Sequence, residues 1–252
     1  MTLRPTLQDA FESPSAKQAY VRRLFALIAA RYDLITILLS YGQDRRWKRR
    51  LASSSGAGPR TRALDLACGT GDIAFLLAAR GASVVGLDVT REMLRLAQRK
   101  GRGVTFVGGD MMALPFADAS FDLVTAGYGI RNVPDLVPAL AEIRRVLRPG
   151  GSFLSLDFNR PGNRLVRGLY LGYLTVVGCA LGLLLHRDPD TYRYIPASIR
   201  RYPGARRVCE LLREQGFDSC EYAPILGGLM AIHTARVRTA STRPDARADG
   251  PG

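Results

Sequence analysis

Asp65-Leu66-Ala67-Cys68-Gly69-Thr70-Gly71-Asp72 is the stretch that decides the fold. Apolar residues of a buried strand run into two glycines one residue apart, and an apolar run suited to a helix follows. Glycine has no Cβ, so the backbone at such a junction can approach a ligand held where a strand ends and a helix begins. Residues 69–74 also fit G-x-G-x-x-A, the dinucleotide fingerprint. The loop therefore marks a nucleotide-type site without choosing its ligand.

Outward from the loop, strands and helices alternate. Strands are expected over 63–67, 83–88, 104–107, 121–126 and 152–158, with helices over 73–79, 92–100 and 136–147 between them. A helix over 205–215, stopped by Gly216, and two strands around 220–223 and 229–236 complete the pattern. Seven strands in this rhythm predict an α/β fold: a mostly parallel seven-stranded sheet flanked by helices. The expected organisation is a flexible N-terminus (1–16), one domain (17–238) and a disordered tail (239–252). That domain includes a helical extension and linker (17–58) and an apolar helical insertion (160–203).

Acids at the strand ends choose the ligand. Asp72 stands where a dinucleotide's pyrophosphate must be received, and its charge suits a cationic sulfonium and amino group better. Asp88 ends the second strand and suits the ribose hydroxyls. Asp110 follows the third and can face an adenine amine. This set predicts S-adenosylmethionine, and no Tyr-x-x-x-Lys relay of a dehydrogenase occurs.

The net charge is +14, from 36 basic and 22 acidic residues, and only Lys17, Lys48 and Lys100 of the basic residues are lysine. Such a surface favours polyanions, either nucleic acid or an anionic membrane leaflet. Codon bias would account for arginine replacing lysine but not for the net charge. Cys68, Cys179, Cys209 and Cys220 form no C-x-x-C pair and the only histidines are His186 and His233, so neither a metal site nor a disulfide framework is expected. Residues 1–11 lack the apolar run of a signal peptide, which points to a location inside the cell. Residues 168–185 hold no charge, at the lower length limit for a membrane span. Their four glycines and two tyrosines favour instead a helix pair lining an apolar pocket or lying on a membrane.

Further motifs occur in order along most of the chain. They are Arg31-Tyr32-Asp33-Leu34, Ser40-Tyr41-Gly42, Trp47-Lys48, Leu114-Pro115-Phe116, Gly129-Ile130-Arg131-Asn132-Val133 and Arg145-Val146-Leu147-Arg148-Pro149-Gly150-Gly151. Tyr192-Arg193-Tyr194-Ile195, Ser198-Ile199-Arg200 and residues 227–233 follow. In these the chain resembles the ubiquinone/menaquinone biosynthesis C-methyltransferases over roughly residues 17–234. It departs from them at Thr36, Cys68 and Asp157, where asparagine, glycine and glutamate are usual. The resemblance implies a class I Rossmann-like methyltransferase fold. It also implies methylation of a ring carbon of a polyprenylated hydroquinone, a demethylmenaquinol or related ubiquinol precursor.

Asp65, Gly69, Thr70, Gly71, Asp88, Asp110, Met111 and Gly127 are the expected cofactor residues. Ring carbon is a poor nucleophile unless the adjacent phenol loses its proton, so a phenolate must be stabilised. Arg131 is expected to orient the ring and stabilise the oxyanion, with Asn132 as an amide donor; arginine is too basic to take the proton itself. Tyr32 and Tyr194 can wall or hydrogen-bond the ring, Asp157 can support Arg131 from behind, and His233 is read as a strand residue with its bonds satisfied. A prenyl tail needs a greasy groove or the bilayer, which segment 168–185 and the Arg-rich surface, Arg45, Arg46, Arg49 and Arg50 included, would supply. The expected location is cytoplasmic, peripheral to the inner face of the membrane, and a homodimer stays open. A phospholipid head-group N-methyltransferase is the alternative reading. An RNA methyltransferase is a weaker one, since no N-P-P-Y-type motif or aromatic-basic RNA module is present and nucleic acid is not expected as a partner.

Overall fold

Seven strands form one sheet in the order β3-β2-β1-β4-β5-β7-β6 in the computed structural model, which describes residues 7–239. The strands are β1 (Arg62–Leu66), β2 (Ser83–Asp88), β3 (Val104–Gly108), β4 (Phe121–Gly127), β5 (Leu147–Phe158), β6 (Phe217–Ile225) and β7 (Met230–Val237). β1 to β5 pair in parallel, and β7 runs antiparallel between β5 and β6. Chain order reverses between β1 and β4. This is the switch point outside whose carboxyl ends α/β sheets bind their ligands.

Helices α4 (Asp72–Ala78), α5 (Arg91–Lys100), α6 (Leu136–Val146) and α9 (Ala205–Glu214) cover the faces. One core layer gathers Leu64, Leu66, Leu140, Ile143 and Val208; the other gathers Trp47, Leu51, Ile73, Leu77 and Leu156. α1 (Pro14–Ile28), α2 (Tyr32–Leu39) and α3 (Asp44–Ser54) form the N-terminal extension. α7 (Arg164–His186) and α8 (Tyr194–Arg201) form the insertion.

Several expectations are corrected. The N-terminal segment is ordered from residue 7: Asp9–Phe11 is a 3-10 turn, Ala10 is buried, and Phe11 stacks on Tyr194 at 5.9 Å. α1 begins at Pro14 because the Ser13 side chain caps it by accepting from the Ala16 N–H. Residues 1–6 and 240–252, including nearly all of the expected tail, lie outside the described residues. β5 starts at Leu147, just ahead of Pro149-Gly150-Gly151, which the strand absorbs as an irregularity in its pairing with β4. Cys209 and Cys220 are joined in a disulfide, against expectation. α9 packs on β6 so that the two Cα atoms stand 5.3 Å apart, a proximity set by tertiary packing and invisible in the spacing.

The apolar segment is one 23-residue helix, not a pair. α7 is long and apolar enough to cross a membrane, yet one of its faces is packed on the protein. A Cβ on Gly182 would lie 2.4 Å from the Asp188 carbonyl oxygen, and one on Gly178 would lie 3.2 Å from Tyr192 Cβ. These two glycines let the chain fold back tightly against the helix.

Candidate active site

A cleft of about 730 Å³ opens over the carboxyl ends of β1, β2 and β4, and Gly69, Asp88, Asp110, Met111, Gly127 and Asn132 all line it. Asp88 is buried at the end of β2. Its Oδ2 accepts from the Gly69 N–H at 2.8 Å and its Oδ1 from the Thr90 N–H at 2.8 Å, so it ties the glycine loop to the neighbouring strand end. Burial raises its pKa, opposed by those backbone donors. Asp110 accepts from the Met112 N–H at 2.9 Å and from the Gln18 side chain of α1 at 2.5 Å. Among the described residues no lysine or arginine lines the cleft. In a chain of net charge +14, a ligand site with two carboxylates and no cation suits a positively charged ligand and opposes a pyrophosphate.

Three of the expected cofactor residues, Asp65, Thr70 and Gly71, and the loop acid Asp72 do not line this cleft. Asp65 is buried and does not line the cleft; its Oδ1 accepts from Thr125 Oγ1 at 2.7 Å and its Oδ2 from the Ala74 N–H at 3.1 Å, which fixes α4 to the sheet. Desolvation pushes its pKa up to about 7. Thr70 turns away to donate to Asp33 Oδ1 at 2.7 Å. Gly71 makes the left-handed turn into α4, where φ is +85° and a Cβ would lie 2.8 Å from the Phe75 ring. Asp72 meets Lys48 Nζ at 2.9 Å and also Lys100. Burial raises its pKa, but Lys48 and Lys100 outweigh burial and the net shift is downward. Its charge is thus matched by protein cations, and the preference for a cationic ligand rests on Asp88 and Asp110.

A second cavity, about 760 Å³, shares Phe25, Tyr32 and Tyr128 with the first. α1, α2, α7 and the segment leading into α8 roof it. Its lining is mostly aliphatic and aromatic with the hydroxyls of Thr36, Ser40 and Thr191, and among the described residues Arg131 is the one charged group that lines it. Arg131 is buried; its Nε meets Asp157 Oδ1 at 3.2 Å, its Nη1 donates to Ser198 Oγ at 2.6 Å and to Asn132 Oδ1 at 3.1 Å, and its guanidinium lies 4.9 Å from the Phe158 ring centre. The Asp157 support is as expected. Thr191 and Tyr194 line the same cavity, and among the described residues Thr191 Oγ1 and Tyr194 Oη are buried without a hydrogen-bond partner. Buried hydroxyls seldom stay unsatisfied, since each costs about 1–3 kcal/mol.

Tyr32 stands between the two cavities, and burial lifts its pKa to about 12. Tyr128, unassigned from sequence, donates to Asp44 Oδ1 at 2.7 Å, and Asp44 Oδ2 meets Lys48 Nζ at 2.7 Å. Trp47 and Lys48 are therefore buried members of a cluster expected to face a membrane, while Arg45, Arg46, Arg49 and Arg50 are exposed. Lys17 Nζ donates to the Val133 carbonyl at 2.5 Å, holding α1 over the Arg131 loop. Burial, with the Arg131 and Arg201 charges, lowers its pKa to about 8. His233 bonds Ser155 Oγ at 3.1 Å and the Ala205 carbonyl at 3.2 Å, in accord with a strand role.

Switch-point cleft, acidic lining and sheet order define a class I S-adenosylmethionine-dependent methyltransferase. Solved structures share the fold. A Thermotoga maritima S-adenosylmethionine-dependent methyltransferase, described as a possible histamine N-methyltransferase, superposes with a TM-score of 0.62 at 16% identity, covering 86% of this chain and 99% of that one. Haemonchus contortus phosphoethanolamine N-methyltransferase 2, bound to S-adenosylmethionine, gives 0.56 at 17% identity over 77% of this chain and 53% of that one. More specifically, the chain belongs to the ubiE/COQ5 methyltransferase family, whose model matches residues 13–237. It is 40% identical to a demethylmenaquinone methyltransferase of Beutenbergia cavernae over 86% of this chain and 90% of the relative. It is 37% identical to a ubiquinone/menaquinone biosynthesis C-methyltransferase of Rubrivivax gelatinosus over 90% of each.

Proposed function

We propose that the protein methylates a ring carbon of a polyprenylated hydroquinone in respiratory quinone biosynthesis, with the ring in the second cavity and S-adenosylmethionine in the first. The carrying observation is that this mostly apolar cavity holds a buried cation, Arg131, together with two hydroxyls that have no partner among the described residues, Thr191 Oγ1 and Tyr194 Oη. A flat ring with an oxygen at each end matches such a set. A phospholipid amine would meet a cation it repels.

S-adenosylmethionine supplies a methyl group on a positively charged sulfur. Asp88 and Asp110 would hold the cofactor's hydroxyl and amine groups, with Gly69, Gly127 and Met111 beside them in the lining of the same cleft. Arg131 stabilises the negative charge left on the ring oxygen when its proton passes to a water, and that electron density makes the adjacent carbon nucleophilic; the proton that carbon loses on accepting the methyl group also leaves to water. Asp157, Ser198 and Asn132 fix the guanidinium so that no reorganisation is needed as charge develops. Tyr32 closes the wall shared by the cavities. Catalytic contact is assigned to Arg131 and Tyr32; Asn132, expected as an amide donor to the ring, instead donates its Nδ2 to the Tyr128 carbonyl at 2.9 Å and accepts from Arg131, which makes it a positioning residue. The prenyl tail follows the aliphatic lining toward α2 and α7, and peripheral contact with an anionic membrane on the cytoplasmic side goes with that path.

Incubation with methyl-labelled S-adenosylmethionine and a total lipid extract tests the reading. Label in the quinone fraction is expected. Label in phospholipid, or in added RNA, would contradict it.

A further inference from the structure

Positive charge sits at the N-terminal end of α7, where helix electrostatics disfavours it. Arg164 and Arg167 lie in a first turn without an acidic residue, at the positive end of the helix dipole. Arg160, Arg167 and Arg200 line a crevice of about 540 Å³ together with Leu171 and Ile199. Among the described residues, the side chains of Arg167 and Arg200 have no hydrogen-bond or ion-pair partner, and that of Arg160 only reaches the Tyr202 carbonyl at 3.4 Å. Three guanidinium groups around one hollow without a carboxylate repel one another, and an anion would relieve that repulsion.

The opposite face of the same helix is greasy and bare. Leu165, Leu169, Val176 and Leu183 recur at helical spacing and are each more than half exposed, whereas Tyr170, Leu171, Leu174, Gly178 and Gly182 face the protein. Exposed Leu34 and Leu38 of α2 add to the apolar surface, as does Tyr41, which stacks on Tyr173 of α7 at 5.3 Å. An outer face this apolar is stable in water only if something covers it.

We propose that α7 lies flat on an anionic bilayer, and that the Arg160–Arg167–Arg200 crevice takes the phosphate of one anionic phospholipid. The depths agree. A helix is about 10 Å across and an interfacial helix sinks its apolar face about 5–10 Å. With the Leu165–Leu183 stripe among acyl chains, guanidinium groups on the other side stand level with the phosphates. The proposal rests on the hydroquinone reading, because a polyprenyl substrate dissolves in the bilayer. Ile35, Leu39 and Tyr170, which line the second cavity, belong to α2 and α7, the helices carrying the greasy surface.

Sedimentation with vesicles tests it, using full-length protein and either phosphatidylcholine alone or phosphatidylcholine and phosphatidylglycerol in equal parts. Wild type should bind the mixed vesicles more tightly. The triple variant Arg160→Gln/Arg167→Gln/Arg200→Gln should lose about 100-fold in that affinity, from a contribution near tenfold or somewhat less per arginine. Leu169→Asp/Val176→Asp should lose binding to both vesicle types. Both variants should methylate a water-soluble, short-tailed demethylmenaquinol at the wild-type rate. If wild type cannot methylate that quinol, the hydroquinone reading fails while the docking result stands apart from it. Unchanged binding by the triple variant would overturn the headgroup site. A dimer in solution that Leu169→Asp/Val176→Asp converts to monomers, with no vesicle binding, would give the stripe to a second copy and overturn the docking.

Discussion

Arg131→Lys is the substitution that presses hardest on the proposed chemistry. Lysine keeps one positive charge near Asp157 but lacks the planar fork that reaches Ser198 at 2.6 Å and Asn132 at 3.1 Å while its Nε faces Asp157 at 3.2 Å. It also gives up the stacked approach to Phe158 at 4.9 Å. Removing one preorganised oxyanion donor costs about 100- to 1,000-fold in kcat. Loss of the charge-assisted bond to Ser198 lowers stability by about 2 kcal/mol, a fall in melting temperature of roughly 4–8 °C for a chain this size. The assay is saturating methyl transfer to a demethylated hydroquinone at a temperature where both proteins are folded, with S-adenosylmethionine affinity measured by calorimetry. Cofactor affinity should match wild type, since Arg131 does not line the cofactor cleft. A kcat within about threefold of wild type would refute the oxyanion role, because a donor made redundant in this way stabilises no transition state.

Thr191→Val/Tyr194→Phe removes two buried hydroxyls without partners. The free protein should become more stable by about 1–3 kcal/mol per hydroxyl removed while KM for the hydroquinone rises; a parallel fall in stability and affinity would mean the hydroxyls serve the fold. Asp110→Asn, at an acceptor of the cofactor cleft, should weaken S-adenosylmethionine binding by about tenfold or more and leave kcat nearly unchanged, as calorimetry and steady-state kinetics can read. His233 is held neutral by burial, with its pKa lowered to about 4 from 6.5. Its contribution is therefore complete above pH 6.5 and is lost as pH falls from 6.5 to 4, by about 3 kcal/mol at most. Urea midpoints across that window should drop less steeply for His233→Gln than for wild type. Peptide mapping without reductant should recover the Cys209–Cys220 pair, and Cys220→Ser should lower stability by about 3 kcal/mol for a loop closing 11 residues.

Strand alternation was readable because parallel strands buried on both faces are short apolar runs bounded by turns, and the mostly parallel seven-stranded sheet follows from that rhythm; the strand order is seen in the structure. The glycine loop was readable as a ligand site but not residue by residue. Asp65, Thr70 and Asp72 carry the right chemistry for a cofactor, yet each side chain is engaged by a partner remote in sequence: Thr125, Asp33 and Lys48. Spacing holds no record of such contacts.

The three lysines offered a signal that composition alone did not turn into a site. In a chain that otherwise uses arginine, Lys17, Lys48 and Lys100 each place a compact ammonium at a junction of elements: on the Val133 carbonyl, between Asp44 and Asp72, and among Asp33, Thr70 and Asp72. Gln18, a polar residue inside the stripe formed with Val21 and Phe25, could likewise have been singled out as facing a ligand. Thr191 could not, since only the closed cavity shows its hydroxyl to be without a partner.

The central claim is methyl transfer to carbon, and the product's carbon spectrum tests it most directly. Purified protein is given S-adenosylmethionine carrying a carbon-13 methyl and a single defined demethylmenaquinol, and the product is examined by carbon-13 resonance. A labelled methyl bonded to a ring carbon is the predicted result. A labelled methoxy signal, or an unmodified ring under conditions where the cofactor binds, would contradict it.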